Sequence, residues 1–475
     1  MTLRLRTLAC LAALTAPAAL PLFVEVSFAP PGVRLAAEMI DGLDPGFDVL
    51  ATAQIDRGIR TGQIPVRWAP DLAAGFGQPL FLFHAPAPFY LAEGFHLLGL
   101  RVVDAVKLMH LLGFLLAAGF AYLLGRDLWG AGAGWSLAAL YTYAASHLAA
   151  VYLRSSLGES LAYAWPPVIL WGAWRFRRDG RPAGWFAAAA GVAALALTHD
   201  RAALLLLPML AIFVARLAVA SEGRGRRLGL AGLFAAGLGA STWFWLPAMA
   251  ERGHVSGAGV GPLPWGLPLA FTMALAGAAV TGLVRGRRGR VVAAVLLMSA
   301  AIGAALPHCR ARYRVAIPDA GLDRTGFLSL PLPYSTASLR TEYLPSTVQR
   351  LPDQPAAEMF VPPTGCALDQ ERLGSDAHFF DAVCAEPGVI AFRQFAFPGW
   401  AAWVGKREVA LIANPQDGTM SLAIPAGAHR VKVAFRDTPV RRGAALVALA
   451  TLVATAAVWL LRGKRNSPPA GQGGT

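Results

Sequence analysis

FGQPLFLFHAPAPFYLAEGFHLLGL, Phe76 to Leu100, decides how the rest of the chain is threaded. The stretch is apolar enough to enter a bilayer, yet it carries Pro79, Pro86, Pro88, His84, His96 and Glu93. If it crosses a membrane, every later loop changes side; if it stays at one surface, it becomes part of whatever is built there. Its prolines deny a regular helix through FLFHAPAPFY, whereas AEGFHLLG is compatible with a short helix lying along a surface.

The surrounding sequence supplies the test. Of 475 residues, 56% are hydrophobic and 15% charged, and the mean hydropathy is +0.49. That is well above a soluble chain of this length and indicates a polytopic α-helical membrane protein. Apolar runs near 4–26, 102–124, 131–152, 158–175, 183–199, 201–217, 228–249, 265–284, 289–306 and 442–461 give about ten candidate spans. The first, Met1 to Phe28, reads as an anchor more than as a cleaved leader, because APA at Ala16–Ala18 leads into further apolar sequence. The pair 183–199 and 201–217, separated only by THDR, is the least certain of the ten and also fits a re-entrant hairpin.

The net charge of +14 sits in short clusters between these runs: Arg4/Arg6, Arg126, Arg175/Arg177/Arg178/Arg181, Arg224/Arg226/Arg227, Arg285/Arg287/Arg288/Arg290 and Arg462/Lys464/Arg465. No nucleic-acid recognition motif accompanies them, so they are read as topology signals and no nucleic-acid partner is expected. With ten crossings and 76–100 kept out of the bilayer, all six clusters face one side and both termini are cytoplasmic. Counting 76–100 as an eleventh span would move every later cluster to the opposite side from the first.

The outer face then receives a first loop at 29–101 and a segment at 307–440, between a membrane domain at 1–306 and a last span at 441–461; the tail 462–475 reads as disordered. VIAFRQFAF, REVALIA and TMSLAIPAGAHRVKVAF, broken at PGW, NPQDG and PAGA, predict a small β-sandwich-like module. Trp400 and Trp403 are candidates for stacking on a sugar ring, although tryptophans of a small β domain serve more often as core or interface anchors. Of four cysteines, Cys10 lies in the first span and Cys309, Cys366 and Cys384 lie outside, where oxidation is permitted. Cys366 and Cys384 are a candidate disulfide that would leave Cys309 unpaired.

The first outer loop is dense in acids, with Glu38, Asp41, Asp44, Asp48 and Asp56. Such carboxylates act as a general base toward a hydroxyl or hold a divalent cation against a phosphate, and equally often cap helices in a solvated loop. Asp44 and Asp48 would share one helical face. Near the other outer span ends stand Arg154, Glu159, His199, Asp200, Arg201, Glu251, Arg252 and His254. Each has a plain role, such as an Arg154–Glu159 pair, a snorkelling Arg201 or a His84 that satisfies backbone freed by prolines. His199 and Asp200, bracketed by ALAL and AALLLL, mark a candidate intramembrane site or a self-satisfied pair.

The series GLDPGFDVL, TGQIPVRWAP, the opening stretch, YLRSSLGESLAYAWPPVIL, ALTHDRAALLLLP, TEYLPSTV and FAFPGWAAWVGKREV resembles the GT-C-type membrane glycosyltransferases. The closest likeness is to bacterial 6-pyruvoyl-tetrahydropterin-synthase-related membrane proteins, with YfhO-like proteins nearby. The likeness covers most of the chain and rests on the order of loose motifs. It implies a GT-C-like fold in a bacterial plasma membrane. It further implies transfer of a sugar from a polyprenyl-phosphate donor to an envelope lipid, glycan or protein. The family's first loop carries a pattern like DxxFH; here Asp44 takes the aspartate place, Phe47 the aromatic, and Asp48 stands where the histidine would be. Asp44 and Asp48 are thus the expected catalytic pair and ligands for a divalent ion (Mg2+ or Mn2+), with His84, Arg154, Glu159, His199, Asp200 and Arg201 around the substrate. A non-catalytic envelope-assembly protein that keeps the fold is the alternative. A transporter is disfavoured because polar groups gather at one face.

The threading predicts that cysteines placed by Arg178→Cys and Arg288→Cys react with a membrane-impermeant maleimide from the cytoplasmic side only, as located by mass spectrometry. Labelling from the outer side would reverse it.

Overall fold

A computed structural model describes residues 5–28, 31–35, 39–40, 46–257, 314–315, 341–350, 356 and 358–465. The protein is mostly helical, with a small antiparallel β region that carries a disulfide. Helix α1, Leu5–Phe23, lays Leu11, Ala18, Ala19 and Leu22 against α5, Val102–Trp129. Between them run the hairpin β1 (Val24–Phe28) and β2 (Pro31–Leu35), then β3 (Met39–Ile40), which pairs with β4 (Arg314–Val315). The loop helices α2 (Phe47–Thr61), α3 (Leu80–Phe83) and α4 (Ala87–Leu97) follow.

No membrane-length helix lies in 76–100. Its longest helix, α4, has 11 residues and spans roughly 16 Å, about half a hydrocarbon core. It packs on α2 and on the start of α5. The loop before it folds back on α2 through Asp71, which accepts from Gln54 Nε2 at 3.0 Å and from Arg57 Nη1 at 2.8 Å.

Among the described residues, four helices are long and apolar enough to cross a membrane: α1, α5, α11 (Asp200–Val219) and the Pro439–Trp459 part of the last helix. A fifth crossing results if α12 (Arg224–Ala240) and α13 (Thr242–Ala250), bent by 70° at Ser241, act as one span. Of the ten expected spans, the described residues thus bear out four or five at membrane length. Run 131–152 is two helices, α6 (Ala131–Thr142) and α7 (Ala145–Tyr152), parted where Ala144 adopts an extended ψ of 131°. Run 158–175 is divided into α8 (Leu157–Ala162) and α9 (Trp165–Asp179), because Pro166 and Pro167 lack the N–H groups that would continue a helix and so start a new one. Helix α10 (Pro182–Thr198) is apolar but shorter, and the extended His199 separates it from α11. Runs 265–284 and 289–306 lie outside the described residues.

Three of the basic clusters, those of Arg126, Arg175–Arg181 and Arg224–Arg227, lie beside one another, Gly180 coming close to Arg226. Arg175 reaches Asp127, next to Arg126, at 4.0 Å and Asp179 at 3.5 Å; Arg177 donates to the Ala220 carbonyl at the end of α11.

The segment between the described residues 358 and 435 is a two-sheet sandwich. Strands β5 (Phe360–Val361), β6 (Cys366–Leu373), β7 (Ala377–Cys384), β8 (Gly388–Phe395), β9 (Trp400–Val404), β10 (Arg407–Val409), β11 (Leu411–Ala413), β12 (Thr419–Ile424) and β13 (Gly427–Phe435) form sheets ordered β10-β9-β13-β7-β6 and β11-β12-β8-β5. Their inner faces bury Phe360, Phe380, Ile390, Phe392, Leu422 and Val431. Cys366 and Cys384 face each other across β6 and β7 and are bonded; Cys309 lies outside the described residues. Helix α14, Pro439–Arg465, leaves the sandwich directly and extends four residues into the stretch read as a tail. The remainder, 466–475, lies outside the described residues.

The sandwich is welded to the first loop and to α13. Trp68, fully buried, meets Trp400 edge-on at 5.5 Å and Phe435 at 5.6 Å, and Phe76 stacks on Phe395 at 5.2 Å. Two glycines make room on either side of this contact: within the loop a Cβ on Gly77 would come within 2.5 Å of Trp68 Nε1, and within the sandwich segment Gly399, at φ +119°, would meet the Arg436 carbonyl at 2.6 Å. Trp400 is therefore an interface anchor, stacked on His378 at 5.6 Å. At the root of α14, Arg441 is fully buried and donates to Glu251 Oε2 from Nε at 2.9 Å and from Nη2 at 2.7 Å. The Thr438 hydroxyl donates to Glu251 Oε1 at 2.6 Å. Removing one member of such a pair strands the other charge. Glu251→Ala and Arg441→Ala should each lower stability by about 3–5 kcal/mol, whereas Glu251→Leu with Arg441→Met should recover much of the loss in thermal unfolding of the detergent-solubilised protein.

Candidate functional site

Asp48 sits in the first turn of α2, 4% exposed, held inward by Phe47, Val49 and Leu50, which bury on the same core. Its Oδ2 accepts the Leu157 N–H at 2.8 Å, which joins α2 to the start of α8. Burial pushes its carboxyl up to about 7, with the Leu157 bond opposing. The group is thus poised to exchange a proton near neutral pH.

Next to it, the Phe47 and His84 rings meet edge-on at 5.3 Å, and His84 also packs on Phe89. His84 Nδ1 lies 3.0 Å from the Tyr343 hydroxyl. Desolvation in this aromatic nest holds the imidazole down to about 4, so it is neutral at pH 7, while the charges of Asp200, His199 and Arg201 also act on it. The opening stretch thereby delivers His84 to the same neighbourhood as the joint between α10 and α11.

At that joint His199 caps α11, its Nδ1 accepting the Ala202 N–H at 3.1 Å. In the neutral ring this places the proton on Nε2 as a free donor. The charges of Asp200, Glu159, Arg201 and Arg154 reach the same ring. Gly158 makes the approach of α8 possible, since a Cβ there would lie 2.7 Å from the Thr198 carbonyl. Arg154 is committed to Glu159 through two bonds of 2.7 Å and to the Ser146 carbonyl at 3.1 Å. The Ser156 hydroxyl accepts the Glu159 N–H and caps α8. Asp200 and Arg201, both half-buried, make no hydrogen bond or ion pair of their own side chains among the described residues.

Six of the expected residues therefore form one electrostatic group, His84 with His199, Asp200 and Arg201, and His199 with Arg154 and Glu159; Asp48 is tied to it through the Phe47–His84 ring contact and the Leu157 N–H. Asp44 lies outside the described residues. Glu251 is not among them, being consumed by Arg441, and Arg252 and His254 lie in a short turn beside Phe397. For a divalent ion at Asp48, the described residues supply no companion pair of carboxylate or imidazole ligands, and no chemical step is routed through a metal there.

A groove of about 930 Å3 adjoins this neighbourhood. Ile64, Pro65, Tyr90, Trp165, Trp243 and Leu449 contribute to a wall that is almost wholly apolar, and Thr198 and Pro86 join it to the His199 and His84 positions. The one ion pair on its lining is Arg67 with Asp437, at 2.9 Å. Sequence reading did not find the groove, because its small-residue floor, Ala189 to Ala194 on α10 and Ala236 to Ala240 on α12, reads as ordinary helix packing. No family model matches the chain, and no curated protein matches it.

The Asp48 environment sets a pH dependence. The unfolded carboxyl ionises near 3.8 and the folded one near 7, so between these values the native state holds the extra proton and stability falls as pH rises. Asp48→Asn keeps an acceptor for Leu157 and removes that slope. It is expected to flatten the pH dependence of the thermal midpoint between pH 4 and 7 and to stabilise the protein at pH 8 by on the order of 4 kcal/mol.

Proposed function

We propose that the protein is a membrane glycosyltransferase that takes a sugar from a polyprenyl-phosphate donor and places it on an envelope lipid, glycan or protein hydroxyl at the outer face. The observation that carries this reading is the adjacency of an apolar groove to polar groups that include the buried Asp48, with its raised carboxyl, and an Arg201 that makes no ion pair among the described residues. A polyprenyl chain requires an apolar channel, and its phosphate requires a cation and donors at one end. Arg201, the Nε2–H of His199 and the first N–H groups of α11 supply these.

In this scheme Asp48 takes the proton of the acceptor hydroxyl as its oxygen attacks the anomeric carbon. The bond from that carbon to the phosphate oxygen breaks, and polyprenyl phosphate leaves against Arg201. Neutral His84 positions the acceptor or sugar through its ring. Arg154 and Glu159, already paired, hold α8 and thereby Leu157 against Asp48. Helices α6 to α10 complete the GT-C-like bundle in this reading, with their breaks at the outer face, and the oxidised β-sandwich lies outside the cytoplasm.

The non-catalytic alternative has one observation in its favour. Trp403 on the sandwich surface is flanked by Arg436 at 4.8 Å and Lys432 at 5.4 Å, an aromatic and cationic patch suited to an anionic glycan. The readings separate by measurement. With a polyprenyl-phosphate sugar and membranes containing the full chain, Asp48→Asn should cut product formation by about 10²–10⁴-fold while Trp403→Ala leaves turnover within a few-fold. Full turnover by Asp48→Asn and by Arg201→Gln, with loss of the cellular glycan phenotype in Trp403→Ala, would replace the enzyme by a binding protein.

A further inference from the structure

Away from the Asp48 neighbourhood, the far halves of α2 and α4 bring together Asp56, Glu93 and His96. Asp56 lies eight residues beyond Asp48, about 12 Å along α2. The candidate ligand atoms of the three side chains lie within 4.8 Å of one another. Glu93 and His96 are spaced i, i+3 and so share one face of α4, which turns toward α2.

Glu93 is the unusual member. It is 1% exposed, and neither Oε1 nor Oε2 meets a hydrogen-bond donor. A buried carboxyl in that state, with the Asp56 carboxylate beside it, is costly unless a proton or a cation is shared between them. Arg60 donates to Asp56 Oδ1 at 2.5 Å, and its charge also reaches Glu93, whose carboxyl lies within hydrogen-bonding reach of Asp56. His96 is already oriented, since its Nδ1 lies 2.7 Å from the Leu100 carbonyl. Donation to that carbonyl fixes the tautomer and leaves Nε2 with its lone pair, the arrangement that outer hydrogen bonds impose on metal-binding histidines.

We propose that Asp56, Glu93 and His96 bind a divalent transition-metal ion that ties the end of α4 to the end of α2. Two carboxylates and one imidazole suit Zn2+ or Mn2+. Around an ion at about 2.1 Å the ligand atoms stand roughly 3–4 Å apart, which small rotations of the half-exposed Asp56 and His96 achieve. Three protein ligands leave at least one position for water or for a phosphate oxygen. The ion would fix the short helix of the opening stretch, which has only 11 residues to hold it in place.

The test uses the untagged full chain in detergent, stripped with EDTA and then titrated with ZnCl2 or MnCl2. Calorimetry is expected to show one saturable equivalent, and the thermal midpoint to rise by several degrees. Glu93→Gln and His96→Ala should each abolish both responses while Asp48→Asn retains them, which separates this site from the proposed transferase centre. Absence of saturable binding, or binding undiminished in His96→Ala, would overturn the proposal. So would a Glu93→Gln protein that matches or exceeds the wild type in stability with neither responding to metal, because the two acids then simply share a proton.

Discussion

The buried contact between Arg441 and Glu251 is the constraint on which the mutual arrangement of sandwich, first loop and last helix depends. Arg441 is the third residue of α14, Glu251 follows α13, and the same guanidinium reaches the Pro398 carbonyl in the turn before β9 and lies over the Phe435 ring at 4.9 Å. One cation thus joins a membrane-length helix, a bent helix pair and the sandwich. Such a charge cannot be left without its partner in a dry interface, so the three bodies are held in one mutual position. That position seats Trp400 and Phe435 on Trp68, and Phe395 on Phe76. The first loop is thereby held on one side by the sandwich, on another by α8 through the Asp48–Leu157 bond and by packing on α5.

The fixed loop supplies one wall of the groove. Ile64, Pro65 and Tyr90 come from the loop, the alanine floor from α10 and α12, and Leu449 from α14. Because α14 is positioned by Arg441, the junction that orients the sandwich also sets the width of the groove. The Arg67–Asp437 pair sits where loop and helix root meet, so the groove ends at a charged seam that belongs to the same junction.

Much of this was legible in the sequence where the signal was local. Prolines in Phe76–Leu100 predicted broken surface structure, and α3 and α4 are short for that reason. Alternation in VIAFRQFAF and in TMSLAI predicted strands, because every second side chain of a sandwich strand must bury. What was not legible depends on distant partners. The division of 158–175 follows from Pro166 and Pro167, a visible signal that an unbroken hydropathy window hides. The division of 131–152 has a weaker signature, since Ala144 carries nothing that announces an extended residue. His147, just beyond that break, stacks on Tyr163 at 4.0 Å, a partner that only the fold brings beside it. Arg441 stands at the start of the last span, and nothing in its own neighbourhood marks a partner 190 residues away.

The site residues divide along the same line. His84, His199, Asp200 and Arg201 were conspicuous because polar groups are rare in this chain, and rarity makes position informative. Arg154 and Glu159 were equally conspicuous, and they turned out to satisfy each other. Asp48 carried the least distinctive signal, one acid among five in its loop, yet it alone of the described acids near this neighbourhood is both buried and held near 7. Sequence spacing names which groups are available. Only the packing of Phe47, Val49 and Leu50, which drags the neighbouring carboxyl out of water, decides which of them has the proton affinity that chemistry at neutral pH requires.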